Sequence, residues 1–321
     1  MRAFITGGTG FIGGRVARKL RARGDAVVAL VRTPAKAGHL ADLGCELIEG
    51  DLSDVDALGK GMAGADSVFH IAAAYKVGIW ESECEEMRVA NVTGTENVLR
   101  TAVDEGVERV LYVSTIGYFG NTRGQVVDET FTRTDLDWLT CYDETKYRAH
   151  EVAARFIADG APVVIAQPGG VYGPDDPSDL GMLFDRIKSG WLKVSVMPGV
   201  GFNFLHVDDA SDGIILAHDK GRIGESYVLG GQIATLGDLI AGVARAYGRK
   251  PPSRELPVPL IKRSALVWKY LAPLLGFPPN LKELVKASDG VTYWATDDKA
   301  RRELGYSPRT LEVGLQDLAA S

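Results

Sequence analysis

Cysteine is scarce in this chain: three residues in 321, at Cys45, Cys84 and Cys141, set far apart. None stands at metal-ligand spacing from another. An odd, sparse count argues for a reducing compartment and against a disulfide framework. Basic charge is not in excess. Lys and Arg total 36 against 42 Asp and Glu, a formal net charge of −6, and no basic stripe is present. No nucleic-acid footprint is expected from that balance. Long apolar runs are missing too: nothing approaches the ~20 residues that a membrane span needs, so no integral membrane association is expected. The first residues, Arg2-Ala3-Phe4-Ile5-Thr6-Gly7, run straight into a strand pattern without a signal peptide. Five histidines with no acidic ligand pattern suggest no metal site. These absences point to a cytoplasmic protein whose partner is a small molecule.

What is present is ordinary in bulk and informative in order. Charged residues are 24% and hydrophobic residues 45%, as in globular proteins generally. Short runs rich in Val, Ile and Ala at Ala3–Thr6, Ala26–Val31, Glu46–Glu49, Ser67–Ala72, Arg109–Thr115 and Pro162–Gln167 read as buried strands. Between them, Phe11–Arg23, Asp54–Met62, Cys84–Asp104 and Asp143–Asp159 carry helical periodicity. Alternation of this kind predicts an α/β fold, a Rossmann-type doubly wound parallel sheet covered on both faces. Residues 1–170 are expected to form this sheet domain, with segments returning to it from about 203–230. Residues 171–321 form mainly a smaller substrate lobe, with helices expected at Ser178–Ser189, Asp208–Asp219, Leu236–Tyr247 and Val258–Leu275. The apolar stretch Ala265–Phe277, interrupted by Lys269 and Pro273, suits a buried or pocket-lid helix better than a membrane-surface one.

The first strand ends in Thr6-Gly7-Gly8-Thr9-Gly10-Phe11-Ile12-Gly13, and a helix follows at once. Gly7 and Gly8 permit a tight turn, Gly10 lets backbone approach a pyrophosphate, and Gly13 lets helix pack close to strand. The exposed N–H groups around Phe11 and Ile12 then meet the phosphates. Lying between strand and helix, the motif is a strong signal for a dinucleotide. The second strand ends at Arg32, where a carboxylate would hold the ribose hydroxyls of NAD; Lys36 follows one turn on. Cations there suit a 2′-phosphate, which favours NADP(H) over NAD(H), although an exposed arginine needs no ligand to explain it. Asp51 and Leu52 end the third strand at adenine depth. An N-cap role is an equal reading for Asp51.

Tyr142 and Lys146 are four residues apart, a spacing that stacks both on one face of a helix. A free phenol titrates near ~10. An ammonium about 4 Å away at an effective dielectric of ~20 contributes ~4 kcal/mol, enough to bring the phenol toward ~7 at ~1.36 kcal/mol per unit. With 11 tyrosines in the chain, chance alone readily produces such a pair, so its context decides its meaning. Cys141 adjoins Tyr142 but has no histidine neighbour, and a nucleophilic role has little support.

The context carries a resemblance. The glycine run, Gly50-Asp51-Leu52, Asn91-Val92-x-Gly94-Thr95-x-Asn97-Val98, Ser114-Thr115 and Tyr142-x-x-x-Lys146 are similar to the extended short-chain dehydrogenase/reductase superfamily. Pro168-Gly169-Gly170-Val171-Tyr172-Gly173-Pro174, His206-Val207-Asp208-Asp209-Ala210 and the C-terminal Asp298–Tyr306 segment extend the match nearly end to end. Within it the chain most resembles the dihydroflavonol 4-reductase-like branch, with its 3β-hydroxysteroid dehydrogenase-like and hopanoid-associated sugar epimerase relatives. The resemblance implies Tyr142 as catalytic acid/base, Lys146 as the residue that lowers its pKa and holds the nicotinamide ribose, and Thr115 as the hydroxyl partner. Ser114 is the less favoured alternative. It also implies that Pro168, Gly169 and Val171 lie beside the carboxamide, and that Ala72, Ala73 and Ala74 pass the ribose and phosphates. Asn91 matches a helix asparagine for which a structural role has even odds. A homodimer through helices flanking strands four and five is common in the superfamily.

Departures from the family's patterns narrow the chemistry. Sugar 4,6-dehydratases carry Asp-Glu after the catalytic threonine; here Ile116-Gly117 follows. Sugar-nucleotide epimerases place an arginine where this chain has Phe202. Both favour an NADPH-dependent reductase, or the reverse dehydrogenase, acting on a hydrophobic ketone, aldehyde or secondary alcohol. An epimerase or isomerase using tightly bound cofactor is the alternative; a non-catalytic NADP sensor is disfavoured because the Tyr/Lys pair is kept. Tyr118, Phe119, Phe131, Trp138, Met182, Phe184, Trp191, Met197 and Phe202 are candidate pocket residues, each one separately better explained as core.

Overall fold

Alternate residues of the first strand, β1 (Arg2–Thr6), point to opposite sides, and each side meets its own helical layer. The computed structural model describes residues 1–256, 259 and 280–320. Ala3 and Ile5 join a core with Val16, Ala17 and Leu20 of α1 (Phe11–Ala22) and with Ala210, Ile214 and Ala217 of α8 (Val207–Lys220). Phe4 joins the opposite core, built on α3 (Val55–Met62), α5 (Gly94–Asp104) and α6 (Cys141–Ala158). The contact is so close that a Cβ at Gly61 would fall on the Phe4 ring.

Seven parallel strands run in the order β10-β6-β5-β4-β1-β2-β3. They are β1, β2 (Ala26–Val31), β3 (Glu46–Glu49), β4 (Ser67–His70), β5 (Arg109–Val113), β6 (Val163–Pro168) and β10 (Ser226–Leu229). This is the doubly wound Rossmann arrangement predicted from the strand-helix alternation. The order in which strands are added reverses between β1 and β4, with β2 and β3 on one side and β4, β5 and β6 on the other. The crevice at their carboxyl ends is where such sheets take ligands. A second, three-stranded sheet pairs β7 (Gly170–Tyr172), β9 (Gly201–His206) and β11 (Gln232–Thr235). With α7 (Asp179–Lys188), α9 (Leu236–Ala246) and the helix Leu311–Ala320 it encloses its own core around Tyr172, Phe184, Phe204, Leu239 and Leu315.

The expected helix Cys84–Asp104 is interrupted. Helix α4 (Glu81–Arg88) passes into a wider π-type turn at Val89–Thr93 before α5 begins. Asn91 sits in that turn, and π-bulges of this kind often serve to re-aim a side chain. Strand β4 stops at His70 rather than Ala72, which frees the following residues to cross the sheet edge. The expected helix Val258–Leu275 and the stretch Ala265–Phe277 lie, apart from residue 259, outside the described residues. No helix among the described residues is long and apolar enough to cross a membrane, and they hold no cluster of metal-ligating side chains.

Candidate active site

The glycine turn is shaped by backbone contacts that leave no room for side chains. Gly7 has φ +76°, and a Cβ there would stand 2.7 Å from the Ala72 nitrogen. A Cβ at Gly13 would collide with the Gly7 carbonyl oxygen. Gly10 begins α1 without a side-chain cap, and the first turn, Phe11 onward, contains no acidic residue. The N–H groups and positive end of α1 are therefore open to an anion. This cradle fits a dinucleotide pyrophosphate.

Farther along the same edge, Arg32 and Lys36 are exposed and make no ion pair among the described residues. Asp51 does not cap a helix: Asp54 caps α3 by accepting from Ala57 N at 2.9 Å. Asp51 instead accepts from the Ser53 backbone at 2.8 Å and hydroxyl at 2.6 Å, bonds that hold its carboxyl below the usual range. Leu52 packs beneath Gly94, where a Cβ would stand 2.8 Å from it. The segment Ala72–Ala74 passes over the sheet edge, clamped by Asn91. The Asn91 Oδ1 accepts from Ala74 N at 2.7 Å, and its Nδ2 donates to Ala74 O and to Thr145 Oγ1, both at 3.0 Å. Asn91 thus ties the crossing segment to α6. Pro168 ends β6, while Gly169 and Val171 follow against β9, so close that a Cβ at Gly169 would meet the Asn203 carbonyl at 2.3 Å.

Tyr142 and Lys146 occupy the first turns of α6, whose start is fixed by Thr140 accepting from Asp143 N at 2.9 Å. Asp143 in turn holds Arg133 in a two-bond pair at 2.7 and 3.0 Å, both side chains about 5% exposed, and accepts from Leu139 N. Arg133 also lies over the Trp138 ring. The long loop before α6 is anchored by this buried ion pair, which no sequence motif announced.

The Thr115 hydroxyl lies near the Tyr142 phenol and accepts from Gly117 N at 3.1 Å. Ser114 is committed elsewhere, at 2.9 Å from His150 Nδ1. Lys146 is buried, with Nζ 2.9 Å from Val113 O and 3.3 Å from the Tyr112 hydroxyl. Below it, His70 bridges Thr6 at 2.8 Å and Thr95 at 3.0 Å and stacks on Tyr112. Burial first, then the Lys146 charge, pushes His70 down to about 3, so its imidazole is neutral.

The electrostatics reverse one sequence-based expectation. Desolvation first, then the Tyr75 and Tyr112 phenols, push Tyr142 above the ordinary phenol value instead of toward neutrality. Burial drives Lys146 down to about 7. The Coulomb argument from spacing omitted the desolvation of both groups, which is larger here. Tyr142 is therefore a protonated phenol at neutral pH, suited to giving a proton up.

Two ring contacts lie on this side of the molecule, with Tyr293 near Tyr75. Tyr75, half exposed, stands edge-on to Tyr142 at 4.7 Å. Phe202 stacks nearly parallel on Tyr293 at 5.1 Å. No sequence motif marks Tyr75 or Tyr293; tertiary packing alone brings Tyr75 onto Tyr142 and Tyr293 near Tyr75. Most of the other candidate pocket residues go elsewhere. Phe119 and Phe184 are core, Tyr118 stacks on His150 and bonds Glu151, Trp138 packs on Tyr147 and Arg133, and Trp191 is 80% exposed. The reading of the cysteines is corrected as well. Cys84 and Cys141 form a disulfide beside Tyr142, because α4 and α6 pack side by side, and only Cys45 is free.

Known proteins agree with this architecture. A Stigmatella aurantiaca protein, 4-hydroxy-2-methyl-3-oxo-4-farnesyl-3,4-dihydroquinoline-1-oxide ketoreductase, is 32% identical over 99% of this chain and 96% of its own length. A Mycobacterium tuberculosis 3β-hydroxysteroid dehydrogenase/Δ5→4-isomerase is 29% identical over 96% of this chain and 86% of its own. The crystal structure of gox2253 superposes with a TM-score of 0.85 at 36% identity, covering 99% of this chain and 96% of that one. The model of the NAD-dependent epimerase/dehydratase family matches residues 3–230. The chain is an enzyme of that family, a branch of the extended short-chain dehydrogenases/reductases.

Proposed function

We propose that this enzyme is an NADPH-dependent reductase, or the reverse dehydrogenase, acting on a hydrophobic ketone, aldehyde or secondary alcohol. One arrangement carries the reading: the buried, protonated Tyr142 phenol has the Thr115 hydroxyl near it and the half-exposed Tyr75 ring edge-on to it. Tyr142 and Thr115 hold the substrate oxygen, and Tyr142 gives its proton as the carbonyl is reduced. Lys146, charged, stabilises the phenolate left behind and holds the nicotinamide ribose. A bound nicotinamide cofactor supplies or accepts the hydride. Gly7, Gly10, Phe11, Ile12 and Gly13 hold the pyrophosphate. Asp51 and Leu52 flank the adenine; Ala72, Ala73 and Ala74 line the ribose path; and Pro168, Gly169 and Val171 face the carboxamide.

Arg32 and Lys36 favour a 2′-phosphate, hence NADPH over NADH. Phe202 in place of a base, and the carboxylates of Asp176 and Asp179 near Tyr75, disfavour a sugar-nucleotide diphosphate. The test follows NADPH and NADH absorbance against ketones, aldehydes, flavanonols and sterols, with Tyr142→Phe alongside. The expected result is NADPH-preferring turnover that the substitution lowers by about 10²–10⁴-fold. Cofactor retained through purification, with substrate converted and no net NADPH consumed, would favour the epimerase or isomerase reading instead.

A further inference from the structure

Cys84 lies in α4, and Cys141 is the first residue of α6, directly before Tyr142. They are 57 positions apart in sequence, yet their Cα atoms are 5.8 Å apart, a span that a disulfide bridges without backbone movement. Other bonds converge on the same spot. The Glu283 carboxylate accepts from Cys141 N at 2.7 Å with one oxygen and from Ile79 N at 3.0 Å with the other. Asn280 donates to the carbonyls of Gly78 and Ile79 at 2.9 and 3.0 Å. The segment from Tyr75 to α4, the start of α6 and the helix Leu281–Ser288 are thereby gathered into one clasp around Tyr142. Tyr75, at the head of that segment, bears on the Tyr142 ring.

We propose that Cys84 and Cys141 form a thiol–disulfide exchange site that governs how the Tyr75 wall is held against Tyr142, and so governs substrate binding. The functional half of this inference rests on the role proposed for Tyr142. Cys84 is buried and Cys141 is partly exposed, so Cys141 is the sulfur that an outside thiol or disulfide reaches first. Oxidation uses a small disulfide of the glutathione type. The Cys141 thiolate attacks it and expels one thiol; the Cys84 thiolate then attacks the mixed disulfide and expels the second. Two protein S–H bonds are lost, one S–S bond forms, and the external disulfide leaves as two thiols carrying both protons and both electrons. In the oxidised enzyme α4 is tied to α6 and Tyr75 is held in place. In the reduced enzyme that tie is gone, leaving the hydrogen bonds, the Arg88–Glu144 ion pair between α4 and α6, and the packing of Ile79 and Met87.

The full-length enzyme is equilibrated with reduced or oxidised glutathione, alkylated, and mapped by mass spectrometry without reduction. Amide exchange over residues 75–84 and NADPH-dependent turnover are measured on both forms and on Cys84→Ser and Cys141→Ser. The expected result is a linked Cys84–Cys141 peptide in the oxidised form only, with Cys45 unchanged between forms. Exchange over 75–84 should be slower in the oxidised form. Substrate KM should be several-fold higher in the reduced form and in both serine variants, whatever the glutathione state. The proposal is overturned if no linked peptide forms, or if exchange and KM are the same in both forms. Absence of turnover in every form, with the linkage and the exchange difference intact, would count against the reductase reading and leave the exchange site standing.

Discussion

On the cofactor side of the cleft, the seven residues from Gly7 to Gly13 make the turn, with a neighbouring strand and one crossing segment for support. On the side proposed for substrate, Tyr75 packs on Tyr142 and Phe202 on Tyr293, each pair drawn from distant parts of the chain. The first wall is set by backbone conformation, which small residues alone permit. The second is set by side-chain contacts, a buried ion pair and a disulfide. Backbone-determined sites tolerate little change in sequence, whereas a wall held by long-range contacts can be retuned for a new substrate without disturbing cofactor binding.

The comparison can be broken by attacking each wall in turn. The largest effect is expected at Arg133, whose pair with Asp143 anchors the loop before α6. Arg133→Met leaves Asp143 buried without its cation, at a cost of about 3–5 kcal/mol. Urea unfolding measures this, and a loss under ~1 kcal/mol would mean that the pair is not an anchor. On the cofactor side, Arg32→Ala should weaken NADPH binding by about 1.5–3 kcal/mol, roughly tenfold or more, while NADH binding stays as it was. Fluorescence titration with both cofactors tests it; equal effects on the two would remove Arg32 from the 2′-phosphate.

The smallest effect per unit change concerns Lys146, which belongs to both walls. Its folded pKa, about 7, lies below the ordinary 10.5, so between those values the unfolded chain binds the extra proton. Stability of the cofactor-free protein should therefore rise with pH from about 7 toward 10, at up to ~1.4 kcal/mol per pH unit. Above about 10 the raised tyrosine pKa values act in the opposite direction, since unfolding then releases their protons. Lys146→Met should flatten the rise. A slope that persists in this variant would assign it to another group.

Much of the fold was legible because its signals are local. Apolar runs of Val, Ile and Ala separated by helical periods gave the parallel sheet, and β1, β2 and β3 lie within a residue of their expected bounds. The helix through Asn91 was read as continuous because a π-type turn leaves hydrophobic spacing almost intact. Asp51 and Asp54 both precede α3, and sequence alone leaves a cap open as one of two equal readings for Asp51; in the fold Asp54 takes that role. The cysteines looked unpaired because 57 residues of separation say nothing about distance in space.

By itself the sequence determined the dinucleotide turn, the sheet and the Tyr142–Lys146 spacing, since each depends on conformational preferences within a few residues. The direction in which Tyr142 and Lys146 titrate comes from packing across the whole fold, because desolvation depends on everything around them. Packing also sets which rings meet, Tyr75 on Tyr142 and Phe202 on Tyr293, and brings Cys84 beside Cys141. Those outcomes rest on contacts between segments far apart in the chain, and no local pattern encodes them.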